Sequence, residues 1–113
     1  ELGGNDGLRG YPIKRIKENL ENICKIIKVN NIPIGLMQIR LPPNYGDKYI
    51  TAFENIYVDI SADNQIILLP FVLEEIALNN SLMQPDGIHP NESAQARIAK
   101  YIEVSIELLL KEV

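Results

Sequence analysis

The stretch IPIGLMQIRL (residues 32–41) reads as a buried strand. It is a short, nearly continuous apolar run closed off by Pro42 and Pro43, far below the length of a membrane span. A half-exposed strand would alternate apolar and polar residues. An unbroken run suits a strand covered on both faces, as in a parallel sheet.

The pattern switches period on both sides of this run. Residues 13–29 place Ile13, Ile16, Leu20, Ile23 and Ile27 at steps of three and four, one face of an amphipathic helix. Asn30 and Asn31 end it, and Pro33 prevents its resumption. Downstream, PPNYGD leads into a second helix at about 48–61, with Ile50, Phe53, Ile56, Tyr57 and Ile60 facing inward. QIILLPF (65–71) repeats the buried-strand signature and stops at Pro70, and VLEEIAL then makes a short helical turn. NNSLMQPDGIHPN (79–91) is rich in turn formers and reads as loop. A last helix follows Asn91, a good N-cap, with Ala94, Ile98, Ile102, Ser105 and Leu109 on one stripe. At the other end, ELGG reads as the last residues of a buried strand entering the loop GGNDGLRG.

Strand end, helix, strand, helix, strand, helix is the alternation of an α/β protein with right-handed crossovers onto a parallel sheet. In such sheets ligands bind outside the C-terminal ends of the strands. Three loops are thereby singled out: GGNDGLRG, LPPNYG and the long segment 79–91.

The bulk properties narrow the function classes. The chain has 113 residues, 46% of them hydrophobic, and a net charge of −4, so it fits one domain or part of one. That charge leaves no electrostatic footprint for nucleic acid. The cations of the first helix are interleaved with acids, Lys14/Glu18 and Glu21/Lys25 being i,i+4 pairs on a solvated face. A single cysteine, Cys24, excludes an internal disulfide framework and reads as a structural thiol beside the apolar stripe. No stable membrane insertion is expected.

His89, the one histidine, stands in the Gly/Pro-marked loop three residues after Asp86. An imidazole acting as general base needs a carboxylate at Nδ1 to fix its tautomer and steady the imidazolium. Asp86 reaches that position if the loop turns back through Gly87. Asn5 follows two glycines, where a side-chain amide can donate to a developing oxyanion, although an ordinary tight turn uses the same residues. Asp6 is expected to tie this loop together through backbone N–H groups. One histidine and no cysteine cluster make a poor zinc set, so no metal is expected. None of Ser61, Ser81, Ser93 and Ser105 sits in the glycine-rich elbow of a nucleophilic serine.

GGNDGLRG followed by DGIHPN, with MQIRLPPNYG and LLPF between them, resembles the SGNH (GDSL-type) hydrolases across essentially the whole chain. Within that family it is similar to the bacterial periplasmic branch that combines thioesterase, lysophospholipase and arylesterase activities. The resemblance implies a three-layer α/β/α sandwich with a flavodoxin-like parallel sheet, a Ser-Asp-His triad and no cofactor. It makes Asp86 the triad acid, His89 the general base and Asn5 the oxyanion asparagine. It matches Gly7 to Pro12 to a loop that shifts when acyl chains bind, which leaves Gly7, Leu8, Leu41, Pro42 and Tyr45 as candidates to line the acyl crevice. The implied partner is a small acyl ester or thioester, the implied location the periplasm and the implied full-length state a monomer.

The resemblance also implies a departure. The family's serine block and its oxyanion glycine precede the matched region, so residues 1–113 are expected to be the C-terminal part of one hydrolase domain. About 60 residues in two βα units would be missing. Such a chain alone is expected to be marginally stable and inactive. A non-catalytic remnant that binds a lipid or a protein partner is the alternative.

Overall fold

The computed structural model describes residues 1–111. Its helices are α1 (Gly4–Leu8), α2 (Ile13–Val29), α3 (Asp47–Asn64), α4 (Glu74–Ala77) and α5 (Gln95–Lys111). Its strands are β1 (Gly35–Met37) and β2 (Ile67–Leu69), and single 3₁₀ turns occupy Pro43–Tyr45, Asn80–Leu82 and Glu92–Ala94. Residues 1–70 form one unit and residues from Phe71 onward a second.

In the first unit β1, α3 and β2 make a parallel βαβ element. Gly35 pairs with Ile67, Leu36 with Leu68 and Met37 with Leu69, and Gln38 N–H extends the ladder to Leu69 O at 2.9 Å. The strands are shorter than the apolar runs that encode them. Gln65 takes a left-handed conformation (φ 53°) to cap α3, which consumes the start of the second run, and Pro70 ends it. With only three residues of β2 to pair with, β1 stops at Met37. Ile39 and Leu41 stay buried beyond the ladder.

Helix α3 carries the inward face expected of it. Phe53, Ile56, Tyr57 and Ile60 are buried, and α2 packs against the helix. The buried stripe of α2 is shifted from the expected one. Ile16, Leu20 and Cys24 are buried while Ile23 is exposed, so Cys24 takes the core position assigned to Ile23. Burial pushes the Cys24 thiol up, which keeps it protonated and unreactive. Lys17 bridges to Asp59 of α3 at 3.1 Å, and Lys28 donates to Asn64 O at 2.7 Å. The expected Lys14–Glu18 pair forms at 3.8 Å, while Glu21 meets Lys17 at 4.0 Å rather than Lys25. At their exposure these pairs contribute little.

The N-terminal segment departs from its reading as a strand end followed by a loop. Glu1 and Leu2 have no regular secondary structure, and the glycine-rich stretch coils into α1 behind Gly3. A strand exists only through its ladder, and β1 and β2 are the strands formed among the described residues.

In the second unit Ile76, Leu82 and Ala94 form a small core, with Leu73, Met83 and Ile98 packed against it. The predicted stripe of the last helix is its least exposed face, from Ala94 through Ile98, Ile102 and Ser105 to Leu109. Asn91 precedes the 3₁₀ turn as expected, but its side chain caps nothing. Its amide donates instead to Ser81 O at 2.8 Å and Met83 O at 3.3 Å, pinning the loop 79–91 to the start of the last helix. No described helix is long and apolar enough to cross a membrane.

Gly7 gives a test of the packing in the first unit. A Cβ there would stand 2.5 Å from Phe53 Cε2 and 3.0 Å from Leu41 Cδ2. Alanine is the better helix former, yet overpacking against a fully buried ring outweighs that gain. Gly7→Ala is expected to destabilise the full protein by about 1–3 kcal/mol in urea unfolding. An unchanged midpoint would mean that α1 is not seated on Phe53.

Candidate active site

The second unit closes a tight polar turn around Asp86. Gly87 N–H donates to Gln84 O at 3.0 Å, and Gly87 itself turns the chain with φ +68°. Gln84 N–H donates to His89 O at 2.7 Å, and an isolated bridge joins Met83 to Pro90. Folded back in this way, Asp86 Oδ1 accepts the N–H groups of Ile88 and His89 at 2.9 and 3.0 Å. Asp86 Oδ2 lies 2.7 Å from His89 Nδ1.

The His89 side chain, the backbone N–H of His89 and that of Ile88 together lower the Asp86 carboxyl to about 2. An ionised carboxylate only accepts, so Nδ1 carries the proton and donates it. That tautomer leaves the lone pair on Nε2, the atom a general base uses. Both side chains are open to solvent, His89 at 64% and Asp86 at 43%, so the pair orients more than it stabilises.

In the first unit Asn5 is an exposed residue of α1. Asp6 follows it, and its backbone carbonyl, rather than its carboxylate, ties the segment by accepting Tyr11 N–H at 3.0 Å. Gly7, Leu8, Leu41 and Tyr45 are brought together. Leu41 packs where a Gly7 side chain would stand, and Tyr45 O–H donates to Leu8 O at 2.7 Å. Pro42 precedes the 3₁₀ turn as its N-cap residue and is exposed. The hydroxyls of Tyr45 and Tyr49 were not legible as functional, since their acceptors are carbonyls of Leu8 and Tyr11, far off in sequence.

The serines offer no exposed elbow. Ser61 is buried in α3, Ser105 donates to Tyr101 O within α5 at 3.0 Å, and Ser93 lies in a 3₁₀ turn. Ser81 O–H donates to Asn79 Oδ1 at 2.7 Å. No group of three or more His, Cys, Asp or Glu able to hold a metal ion occurs among the described residues.

The family model described as GDSL-like Lipase/Acylhydrolase matches residues 1–102, which include Asn5, Asp86 and His89. The chain belongs to that family. It is similar to the Thioesterase 1/protease 1/lysophospholipase L1 of Escherichia coli, with 44% identity over 97% of this chain and 53% of the relative. An arylesterase of Vibrio mimicus is 43% identical over 90% of this chain and 51% of its own length. Among solved structures, the psychrotrophic esterase EstA of Pseudoalteromonas, inhibited by monoethylphosphonate, superposes with a TM-score of 0.95 at 40% identity. The match covers 98% of this chain and 61% of that one. AlinE4, an SGNH-hydrolase family esterase, superposes with a TM-score of 0.72 at 34% identity, over 100% of this chain and 58% of that one. The chain thus spans about half the length of the curated relatives it matches.

Because its folded-state value is depressed, Asp86 favours the closed turn above its ordinary value of 3.8. That contribution is lost as pH falls through about 2. Carboxyl-carbon NMR of Asp86 is expected to show a midpoint near 2, rising towards 3.8 in His89→Ala. A wild-type midpoint at the ordinary value would mean that the turn is open in solution.

Proposed function

We propose that this chain is the C-terminal part of a serine hydrolase of carboxylic esters and thioesters, acting on acyl thioesters, lysophospholipids or aryl esters. In this reading the nucleophilic serine comes from outside these 113 residues. The complete domain is a three-layer α/β/α sandwich with a flavodoxin-like parallel sheet. It works in the periplasm as a monomer, needs no cofactor, and residues 1–113 alone are inactive. The observation that carries the reading is the 2.7 Å contact between Asp86 Oδ2 and His89 Nδ1, found within the stretch that the GDSL-like model matches.

The reaction is two-step acyl transfer. The serine attacks the acyl carbonyl as His89 Nε2 takes its proton, and Asp86 steadies the imidazolium through Nδ1. The Asn5 amide donates to the tetrahedral oxyanion. His89 then returns the proton to the departing alkoxide or thiolate. In the second half, water gives a proton to His89 and attacks the acyl-enzyme, and His89 passes that proton to the serine oxygen as the carboxylic acid leaves. The apolar acyl chain lies against Gly7, Leu8, Leu41, Pro42 and Tyr45.

The test is hydrolysis of a short p-nitrophenyl ester and an acyl thioester by the full protein. Asp86→Asn, which disturbs the tautomer while keeping the shape, is expected to lower kcat by roughly 10³–10⁴ with little change in KM. Asn5→Ala is expected to lower it by about 10²–10³. Losses of tenfold or less would remove the respective residue from its role.

A further inference from the structure

The proposed oxyanion donor is held in an unusual way. Asn5 sits in a helix of five residues, far too short to persist by its own hydrogen bonds. Its side chain is exposed, so the path of the backbone on either side sets where its Cα–Cβ bond points. Four aromatic residues spaced four apart grip that backbone: Tyr45 in the 3₁₀ turn, then Tyr49, Phe53 and Tyr57 along α3.

Each rung of this ladder meets a different point of the segment. Tyr57 O–H donates to Leu2 O at 2.8 Å, three residues before Asn5. The Phe53 ring fills the space beside Gly7 that a side chain would need. Tyr45 O–H takes Leu8 O at 2.7 Å, in the last turn of α1, where helix carbonyls lack an internal partner. Tyr49 O–H takes Tyr11 O at 2.8 Å. The rings brace one another, Tyr45 with Tyr49 at 6.4 Å and Phe53 with Tyr57 at 5.4 Å between centroids. Burial raises the Tyr49 and Tyr57 hydroxyls above their ordinary range, so both remain donors at working pH.

We infer that the hydroxyls of Tyr45 and Tyr49 are positioning groups for Asn5, fixing α1 so that its amide points at the developing oxyanion. The inference rests on the proposed role of Asn5. Tyr45 and Tyr49 touch neither the reacting atoms nor the Asn5 side chain; the Tyr45 ring meets the acyl chain, while the two hydroxyls act through the carbonyls of Leu8 and Tyr11. The same geometry gives them a second consequence. Moving Leu8 and Tyr11 away from the two rings breaks both hydrogen bonds, so their loss softens the segment as well as misdirecting Asn5.

The test is a double-mutant cycle in the full protein. Tyr45→Phe with Tyr49→Phe keeps both rings and removes only the donors. It is expected to lower kcat about tenfold with KM within about twofold, because a small misplacement costs turnover rather than binding. In the Asn5→Ala background the same pair is expected to change kcat less than about twofold, since nothing remains to be aimed. A tenfold loss in both backgrounds, or in neither, overturns the inference. If Asn5→Ala alone leaves kcat within tenfold, the assignment of Asn5 falls first, before the tyrosines are touched, and the inference falls with it.

Hydrogen exchange supplies a readout independent of turnover and of any global loss of stability. The amides of Gly10 and Tyr11 donate to Gly7 O and Asp6 O, and they are expected to exchange faster in the double variant while those of β1 and β2 do not. Tyr45→Phe alone should show the same local pattern to a smaller degree. Unchanged exchange at Gly10 and Tyr11 would contradict the ladder's hold on the segment.

Discussion

One face of α3 sets the arrangement of residues 1–70. Phe53, Ile56, Tyr57 and Ile60 are sealed from solvent on it. Burying a large aromatic or aliphatic side chain is worth about 1.5–3 kcal/mol each. That burial offsets the cost of ordering a βαβ element whose ladder has only three residue pairs. The same helix therefore does two jobs. Its aliphatic residues help to build the core with α2 and the strands, and its aromatic ones hold the N-terminal segment that carries Asn5. Because both rest on one rigid element, the position of the Asn5 segment is coupled to the packing of the core.

The Asp86–His89 turn is built on the opposite principle. Nearly every bond that shapes it spans six residues or fewer: Gly87 to Gln84, Ile88 and His89 to Asp86, and Gln84 Nε2 to Pro90 O at 3.1 Å. Only Asn91 reaches further, back to Ser81 and Met83. Such a turn needs little from a hydrophobic core and can present an exposed imidazole in a defined tautomer. Among the described residues of the second unit, Ile76, Leu82 and Ala94 form an apolar cluster. The Asp86–His89 pair is thus shaped by local polar bonds, whereas the segment that carries Asn5 is braced by residues far off in the sequence.

This contrast explains what could be read from the sequence. The long helices, the parallel pairing and the closure of Asp86 onto His89 were legible because each depends on neighbours in the chain: periodic apolar residues, proline stops, and a glycine between acid and base. Strand lengths were not, since Gln65 belongs to the cap of α3 even though it opens an apolar run. Ile23 and Cys24 exchanged places because a helix stripe drifts when 3.6 residues per turn are approximated by alternating steps. Asn91 has the residue type and place of an N-cap, yet distant carbonyls claim its amide. The tyrosine hydroxyls were the least visible of all. Tyr57 presented itself only as a core residue, and its acceptor is the carbonyl of Leu2, 55 positions away.

In the proposed reaction Asn5, Asp86 and His89 serve a serine that none of the four in this chain provides. The most direct measurement is to react the full protein with a fluorophosphonate ester and locate the adduct by peptide mass spectrometry. A single phosphonylated serine outside residues 1–113 is expected, with modification abolished in His89→Ala. An adduct on Ser61, Ser81, Ser93 or Ser105, or labelling that persists without His89, would contradict it.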